Sequence, residues 1–139
     1  MQARQVKTAA DARALVETLK APHVKVGVFD IDGIMRGKYI SRDKFISSLD
    51  GGFGFCDVVL GWDCQDQLYD NVKYTGWHTG YPDAPVRLLP DTCRLLPFED
   101  NGLFFLGEFS PPGEAVCPRG LLRRVLERGR AMGFEAYVG

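Results

Sequence analysis

The sequence predicts an α+β fold, a mixed sheet with helices packed on it, from three observations. Two half-apolar runs flank Asp32-Gly33 in the stretch VKVGVFDIDGIMRGKYI (Val24–Ile40), which is the pattern of a β-hairpin. GLFFLGEF (Gly102–Phe109) is almost continuously apolar, as a strand at the centre of a sheet would be. Two other stretches carry apolar residues at three- and four-residue steps and read as amphipathic helices.

The first helix runs from Thr8 to Lys20. Ala9, Ala12, Leu15, Val16 and Leu19 share one face, Asp11 and Glu17 point toward solvent, and Ala21-Pro22 ends the helix. The hairpin follows. Ser41 then caps a short helix, Arg42 to Leu49; Lys44 stands three positions on where a capping box needs Glu or Gln. Asp50-Gly51-Gly52 closes it. Residues 52–83, GFGFCDVVLGWDCQDQLYDNVKYTGWHTGYPD, have glycines and aromatics but little periodicity. They read as a long functional loop that covers its own domain or a partner surface. Phe53, Phe55, Trp62, Tyr69, Tyr74, Trp77 and Tyr81 are too many aromatics for a solvated linker.

Pro85–Leu89 reads as a short strand and Cys93–Leu96 as another, closed by Pro97; Gly102–Phe109 follows. Pro111-Pro112-Gly113 punctuates the chain as a linker does. From Pro118 to Met132 a helix is expected, with Leu121, Leu122, Val125, Leu126 and Met132 on one face and Gly133 at its end. Its arginines at 119, 123, 124, 128 and 130 suit an anion patch or, more ordinarily, a charged face covering a subunit contact. Phe134–Val138 reads as the start of a strand. Residues 1–112 are therefore expected to form one domain, and residues 113–139 the first helix and strand of a second whose remainder is missing.

With 139 residues, 45% apolar and 25% charged, the chain can bury a working core. Lys and Arg number 17 against 18 Asp and Glu, so net charge gives no reason to expect nucleic acid or an anionic membrane as partner. No run approaches the roughly 20 apolar residues of a membrane span, and the start has no apolar signal core. A cytoplasmic location is expected. Cys56, Cys64, Cys93 and Cys117 form no CxxC pair, so neither a zinc site nor a disulfide framework is indicated, and four buried or half-buried free thiols are expected.

Asp30-Ile31-Asp32-Gly33 after an apolar strand resembles the first motif of haloacid-dehalogenase-type phosphatases, in which one Asp is the nucleophile and the other a general acid. Ile34 follows that motif, however, the second run pairs as a hairpin, and no later acidic pair follows an apolar strand. The phosphatase is kept as an alternative, as is a stand-alone β-grasp interaction module.

Over nearly its whole length the chain resembles the glutamine synthetase family, specifically its amino-terminal β-grasp domain and the opening of its catalytic domain. Val28-Phe29-Asp30-Ile31-Asp32-Gly33 with Arg36-Gly37-Lys38 is similar to the family's first hairpin. Phe55-Cys56-Asp57 with Gly61-Trp62 is similar to its Phe-Asp-Gly-Ser-Ser-Ile loop, which closes on Gly-Trp or Gly-Phe. Pro85–Arg94 and Phe104–Phe109 resemble the later strands, and Cys117-Pro118-Arg119-Gly120 with Leu121-Leu122-Arg123-Arg124 resembles the helix opening the catalytic domain.

The resemblance implies an ATP-dependent ligase that phosphorylates the γ-carboxylate of glutamate and lets ammonia or an organic amine displace the phosphate. It implies ATP and Mg²⁺ or Mn²⁺ as cofactors, bound by the catalytic domain beyond Gly139, so that the chain alone lacks the chemistry. It implies a homo-oligomeric ring, dodecameric in the full-length protein, in which this domain adds a loop to the active site of the adjacent subunit. Asp57 is the nearest counterpart, one position displaced, of the family's ammonium-binding loop aspartate. Val58-Val59-Leu60 stands where two serines and an isoleucine are typical, which favours an organic amine over ammonia. Trp62 and Asp63 are candidates for a substrate entrance. The competing readings are a turn carboxylate for Asp57 and a loop anchor for Trp62. Asp66 and Asp70 read as solvent groups, and His23 and His78 as structural or solvated.

Overall fold

Val24, Val26 and Val28 alternate along β1 (His23–Phe29) and are fully buried, so one face of this strand supplies the centre of the core. The computed structural model describes residues 2–138. After a 3-10 turn at Ala3–Gln5, α1 spans Ala9–Leu19; β1 pairs antiparallel with β2 (Met35–Ser41), and α2 follows directly over Arg42–Gly51. β3 (Phe53–Cys56) leads into a 3-10 turn at Asp57–Leu60. β4 (Asp83–Leu95), β5 (Leu103–Phe109), a 3-10 turn at Gly113–Ala115 and α3 (Pro118–Ala131) complete the chain. The five strands form one mixed sheet in the order β2-β1-β5-β4-β3, antiparallel except for β1 beside β5. The expected α+β architecture is observed, and the GLFFLGEF strand is central in it.

Local chemistry sets the helix ends. Thr8 accepts the Asp11 N–H at 3.1 Å while Asp11 accepts the Thr8 N–H at 2.9 Å, a reciprocal cap that satisfies two donors without an intrahelical partner. Asp11 is thus engaged in the cap, where the sequence reading left it in solvent. The Lys7 N–H contributes most to holding its carboxyl below the usual range, followed by Thr8. Ser41 caps α2 by accepting the Lys44 N–H at 3.2 Å. Ala12, Leu15 and Val16 of α1 and Phe45 of α2 pack on the sheet, with the Phe45 and Phe105 rings 4.7 Å apart and both fully buried. Each such ring contributes on the order of 2 kcal/mol by leaving water.

Several sequence-based boundaries are corrected. FGFC is a strand inside the stretch read as loop: Phe53 and Phe55 point into the core, and glycine at alternate positions hides the period. The two strands read at Pro85–Leu89 and Cys93–Leu96 are one strand, β4, with a register shift between Leu89 and Arg94. Pro90 has no N–H to offer there, and the Thr92 hydroxyl fills the gap by accepting the Leu106 N–H at 2.9 Å and donating to the Leu89 carbonyl at 2.6 Å. Phe134–Val138 is exposed and carries no strand, because no neighbouring strand is available among the described residues to satisfy its backbone.

α3 also sits differently from its pattern. Its apolar residues Leu121, Leu122, Val125 and Met132 are exposed, while Arg119 and Arg123 turn toward β5. Glu108 lies on β5, 4% exposed, and meets Arg87, Arg119 and Arg123; Arg123 also pairs with Glu114. Arg119 and Arg123 therefore serve a buried carboxylate of their own chain, and Arg124 donates to the Glu114 and Ala115 carbonyls. All four cysteines are free, Cys93 and Cys117 buried, Cys56 half-buried and Cys64 exposed, the last against expectation. No helix among the described residues is long and apolar enough to cross a membrane.

Candidate functional site

Asp57 is placed by the end of β3. Its N–H donates to the Pro82 carbonyl at 3.0 Å as the chain tightens into the 3-10 turn, and its carboxylate is 4% exposed. The Thr75 hydroxyl, fully buried, donates to Asp57 Oδ1 at 2.5 Å. A charge this far from water requires such a partner. Gly61 allows the approach: a Cβ there would stand 2.8 Å from Thr75 Cγ2 and 3.1 Å from the Thr75 carbonyl oxygen. Tyr74 flanks the pair, its hydroxyl pushed to a higher pKa first by burial and then by the Asp57 charge. Ile31, Leu60, Tyr69, Val72, Tyr74 and Val116 wall a mainly apolar cleft of 480 Å³ beside the turn.

The hairpin loop braces this turn. The Ile31 N–H donates to the Val59 carbonyl at 3.0 Å. Asp30 is fully buried: Oδ1 accepts the N–H groups of Asp32 and Ile34 at 3.0 and 2.8 Å, and Oδ2 accepts Arg36 Nε at 2.7 Å. Arg36 also pairs with Asp66 at 2.6 Å, donates to the Asp63 carbonyl at 3.3 Å and lies over the Trp62 ring, 5.0 Å from its centroid. The Asp30 hydrogen bond raises the Arg36 pKa further, so this guanidinium is a fixed charge. Asp32 accepts the Cys64 N–H at 2.8 Å.

These contacts locate each candidate from the sequence. Asp57 lies in the buried turn. Trp62 is half-buried under Arg36, its Nε1 without a hydrogen-bond partner, and Asp63 accepts the N–H groups of Gln65 and Gln67 in a turn of its own. Asp66, read as a solvent group, is exposed and also forms the outer partner of Arg36. His78 is exposed beside the Lys73 carbonyl, and His23 stacks edge-on against Tyr39. Thr75 went unnoticed in the sequence because a single threonine 18 residues from Asp57 gives no local signal. Lys38, read from the sequence only within Arg36-Gly37-Lys38, donates to the Gly54 carbonyl at 2.9 Å. Among the described residues no group of three or more His, Cys, Asp or Glu is placed to hold a metal ion.

The chain is 44% identical over 127 residues, 89% of its length, to "Type-1 glutamine synthetase 2" of Dictyostelium discoideum, of which it covers 24%. It is similar to the amino-terminal part of the glutamine synthetase family. Over 133 residues, 91% of its length, it is 33% identical to a glutamate–isopropylamine ligase of Pseudomonas, of which it covers 28%. A γ-glutamylethanolamide synthetase of Streptomyces coelicolor is 29% identical over 133 residues, with 29% of it covered. The chain thus spans about a quarter of the length of the curated relatives it matches. No protein-family model matches it.

Solved structures share the fold. A GmaS/ADP complex superposes with a TM-score of 0.63 at 14% identity, over 87% of this chain and 26% of that one. Plasmodium falciparum glutamine synthetase gives 0.59 at 16% identity, over 88% and 23%. Neither the fold nor the relatives support the phosphatase or the stand-alone module. β1 turns straight back into β2, and Asp30 is enclosed and paired with Arg36 instead of open to a phosphate ester.

Proposed function

We propose that this chain is the amino-terminal part of an ATP-dependent ligase that joins glutamate to ammonia or an organic amine. In this reading residues 1–112 form the amino-terminal domain and residues 113–139 open the catalytic domain. The chain acts in a homo-oligomeric, cytoplasmic ring, where the Asp57 loop serves the active site of the adjacent subunit. ATP with Mg²⁺ or Mn²⁺, held outside this chain, supplies the phosphoryl group that turns the glutamate γ-carboxylate into an acyl phosphate. The remaining contribution belongs to Asp57. A carboxylate fixed by Thr75 attracts an ammonium group and accepts its proton, leaving the neutral amine to displace phosphate.

The observation that carries this reading is the buried Asp57 turn, in a chain 44% identical to a glutamine synthetase over 127 residues. The exposed apolar face of α3 supports continuation into a larger domain, and Trp77, 80% exposed in the same long segment as Asp57, is free to meet a neighbour. An organic amine is favoured by Val58, Val59 and Leu60, which follow Asp57 in the same turn and bring apolar side chains without hydroxyls. Two of the relatives are named for organic amines, one as a ligase of isopropylamine and one as a synthetase of γ-glutamylethanolamide.

Initial rates of the full-length enzyme with glutamate, ATP and a panel of ammonium, isopropylamine, ethanolamine and polyamines test this. Asp57→Asn is expected to lower kcat/KM for the amine about 100-fold. A clear preference for ammonium would overturn the amine assignment, and an unchanged Asp57→Asn enzyme would overturn the role of Asp57.

A further inference from the structure

β2 and β3 lie at opposite ends of the five-stranded sheet and are not neighbours in it. One lysine nevertheless joins them. Lys38 of β2 donates from Nζ to the Gly54 carbonyl of β3 at 2.9 Å, and its ammonium lies over the rings of Phe55 and Phe53, 4.8 and 5.5 Å from their centroids. The sheet must curl for this contact to form. Register explains why Lys38 can reach: it pairs with Val26, as Arg36 pairs with Val28 and Ile40 with Val24, so alternate β2 side chains lie on the core-facing side of the hairpin. At Ile40 that side is closed by an aliphatic group. At half-buried Arg36 and at exposed Lys38 a cation is laid on aromatic faces instead.

These two residues hold both flanks of the Asp57 turn. Gly54, held by Lys38, precedes Asp57 by three residues; Trp62, covered by Arg36, follows it by five. Their charges are managed differently. Arg36 is neutralised by Asp30 and Asp66, whereas Lys38 meets a carbonyl and two ring faces. β3 is held in the sheet by its ladder with β4, and the Lys38 hydrogen bond adds a tie from β2 to the Gly54 carbonyl, three residues before Asp57.

We propose that Lys38, supported by Arg36, is a positioning residue that sets the Asp57 turn for the incoming amine. This rests on the role proposed for Asp57 and adds the residue through which the hairpin controls it. Lys38 itself does not touch the reacting atoms.

Steady-state kinetics of the full-length enzyme separate the two ideas. Lys38→Met is expected to raise KM for the amine about tenfold, the scale on which small misplacements act, with KM for ATP and glutamate within about twofold of wild type. Lys38→Arg, which keeps a donor and a cation over the rings, is expected to recover most of the loss. In an Asp57→Asn background, Lys38→Met should add nothing. Phe55→Leu removes the ring beneath the ammonium from the β3 side and is expected to shift the amine KM in the same direction, which keeps the test open if Lys38→Met does not fold. A folded Lys38→Met enzyme with unchanged amine KM, or with effects additive to those of Asp57→Asn, overturns the positioning role while leaving Asp57 in place. An Asp57→Asn enzyme with unchanged amine kinetics overturns both.

Discussion

The Thr75 hydroxyl donates to the Asp57 carboxylate at 2.5 Å, with both side chains withdrawn from solvent. Removing that hydroxyl leaves a carboxylate in a site built for a paired one. Thr75→Val, nearly isosteric, is expected to destabilise the chain by about 2 kcal/mol, because a buried acceptor loses its partner. Thr75→Ser is expected to lose less than half of that. Urea denaturation of the two variants checks the difference, and a larger loss in Thr75→Ser than in Thr75→Val would assign the role of Thr75 to its methyl group.

Glu108 joins the sheet to α3 through Arg87, Arg119 and Arg123. Burial pushes its pKa up, but the hydrogen bonds and charges of Arg87 and Arg123 outweigh burial and hold it below the ordinary glutamate value. A lowered folded-state pKa means that its stabilisation is complete above the unfolded value, about 4.3, and is lost as pH falls through the lower folded value. Glu108→Gln is expected to cost about 2 kcal/mol at pH 7 and to flatten the acid limb of the stability profile below about pH 4. Thermal melts from pH 3 to pH 7 would show it. A variant whose acid limb matches wild type would mean that another carboxylate governs acid unfolding.

Some of this fold is written in short-range pattern and some is not. α1, α2, the hairpin and β5 are legible because caps, prolines and periodicity act within a few residues. β3 is obscured by Gly54, and β4 by Pro90-Asp91, which reads as a turn although the ladder resumes beyond it. The apolar face of α3 predicts the helix correctly but not which side meets the sheet, since Glu108 draws the arginines inward. Asp57 could be singled out only through the resemblance of Phe55-Cys56-Asp57 with Gly61-Trp62 to a family loop. Its burial could not, because Thr75, Gly61 and Pro82 reach it only through the folded loop.

The cysteines differ enough in environment to report on the fold. Burial pushes the Cys93 thiol up to about 11, with Arg94 opposing weakly, and Cys117 is equally enclosed. Cys64 is exposed, and half-buried Cys56 directs its thiol to the Tyr81 carbonyl at 3.3 Å. Titration of the native chain with an aromatic disulfide reagent is expected to show one fast thiol, abolished by Cys64→Ser, and a slower one from Cys56. Cys93 and Cys117 should react only on denaturation. A second fast phase surviving Cys64→Ser would place another thiol at the surface.

Gly61 shows whether the Asp57 turn is limited by conformation or by space. Its φ of −131° is open to any residue, so a substitution there meets no backbone penalty. The obstacle is Thr75, whose Cγ2 would lie 2.8 Å from a new Cβ, well inside contact distance. Gly61→Ala is therefore expected to destabilise the chain by about 1–3 kcal/mol, the usual cost of overpacking, while pushing the Thr75 hydroxyl away from Asp57. Serine at position 75 keeps the hydroxyl and lacks Cγ2, so Thr75→Ser should recover a large part of the loss in the Gly61→Ala background even though it is mildly harmful alone. A double-mutant cycle in urea measures that coupling. Additive losses would mean that the clash falls instead on the Thr75 carbonyl oxygen, 3.1 Å from the same Cβ, which no side-chain change can relieve.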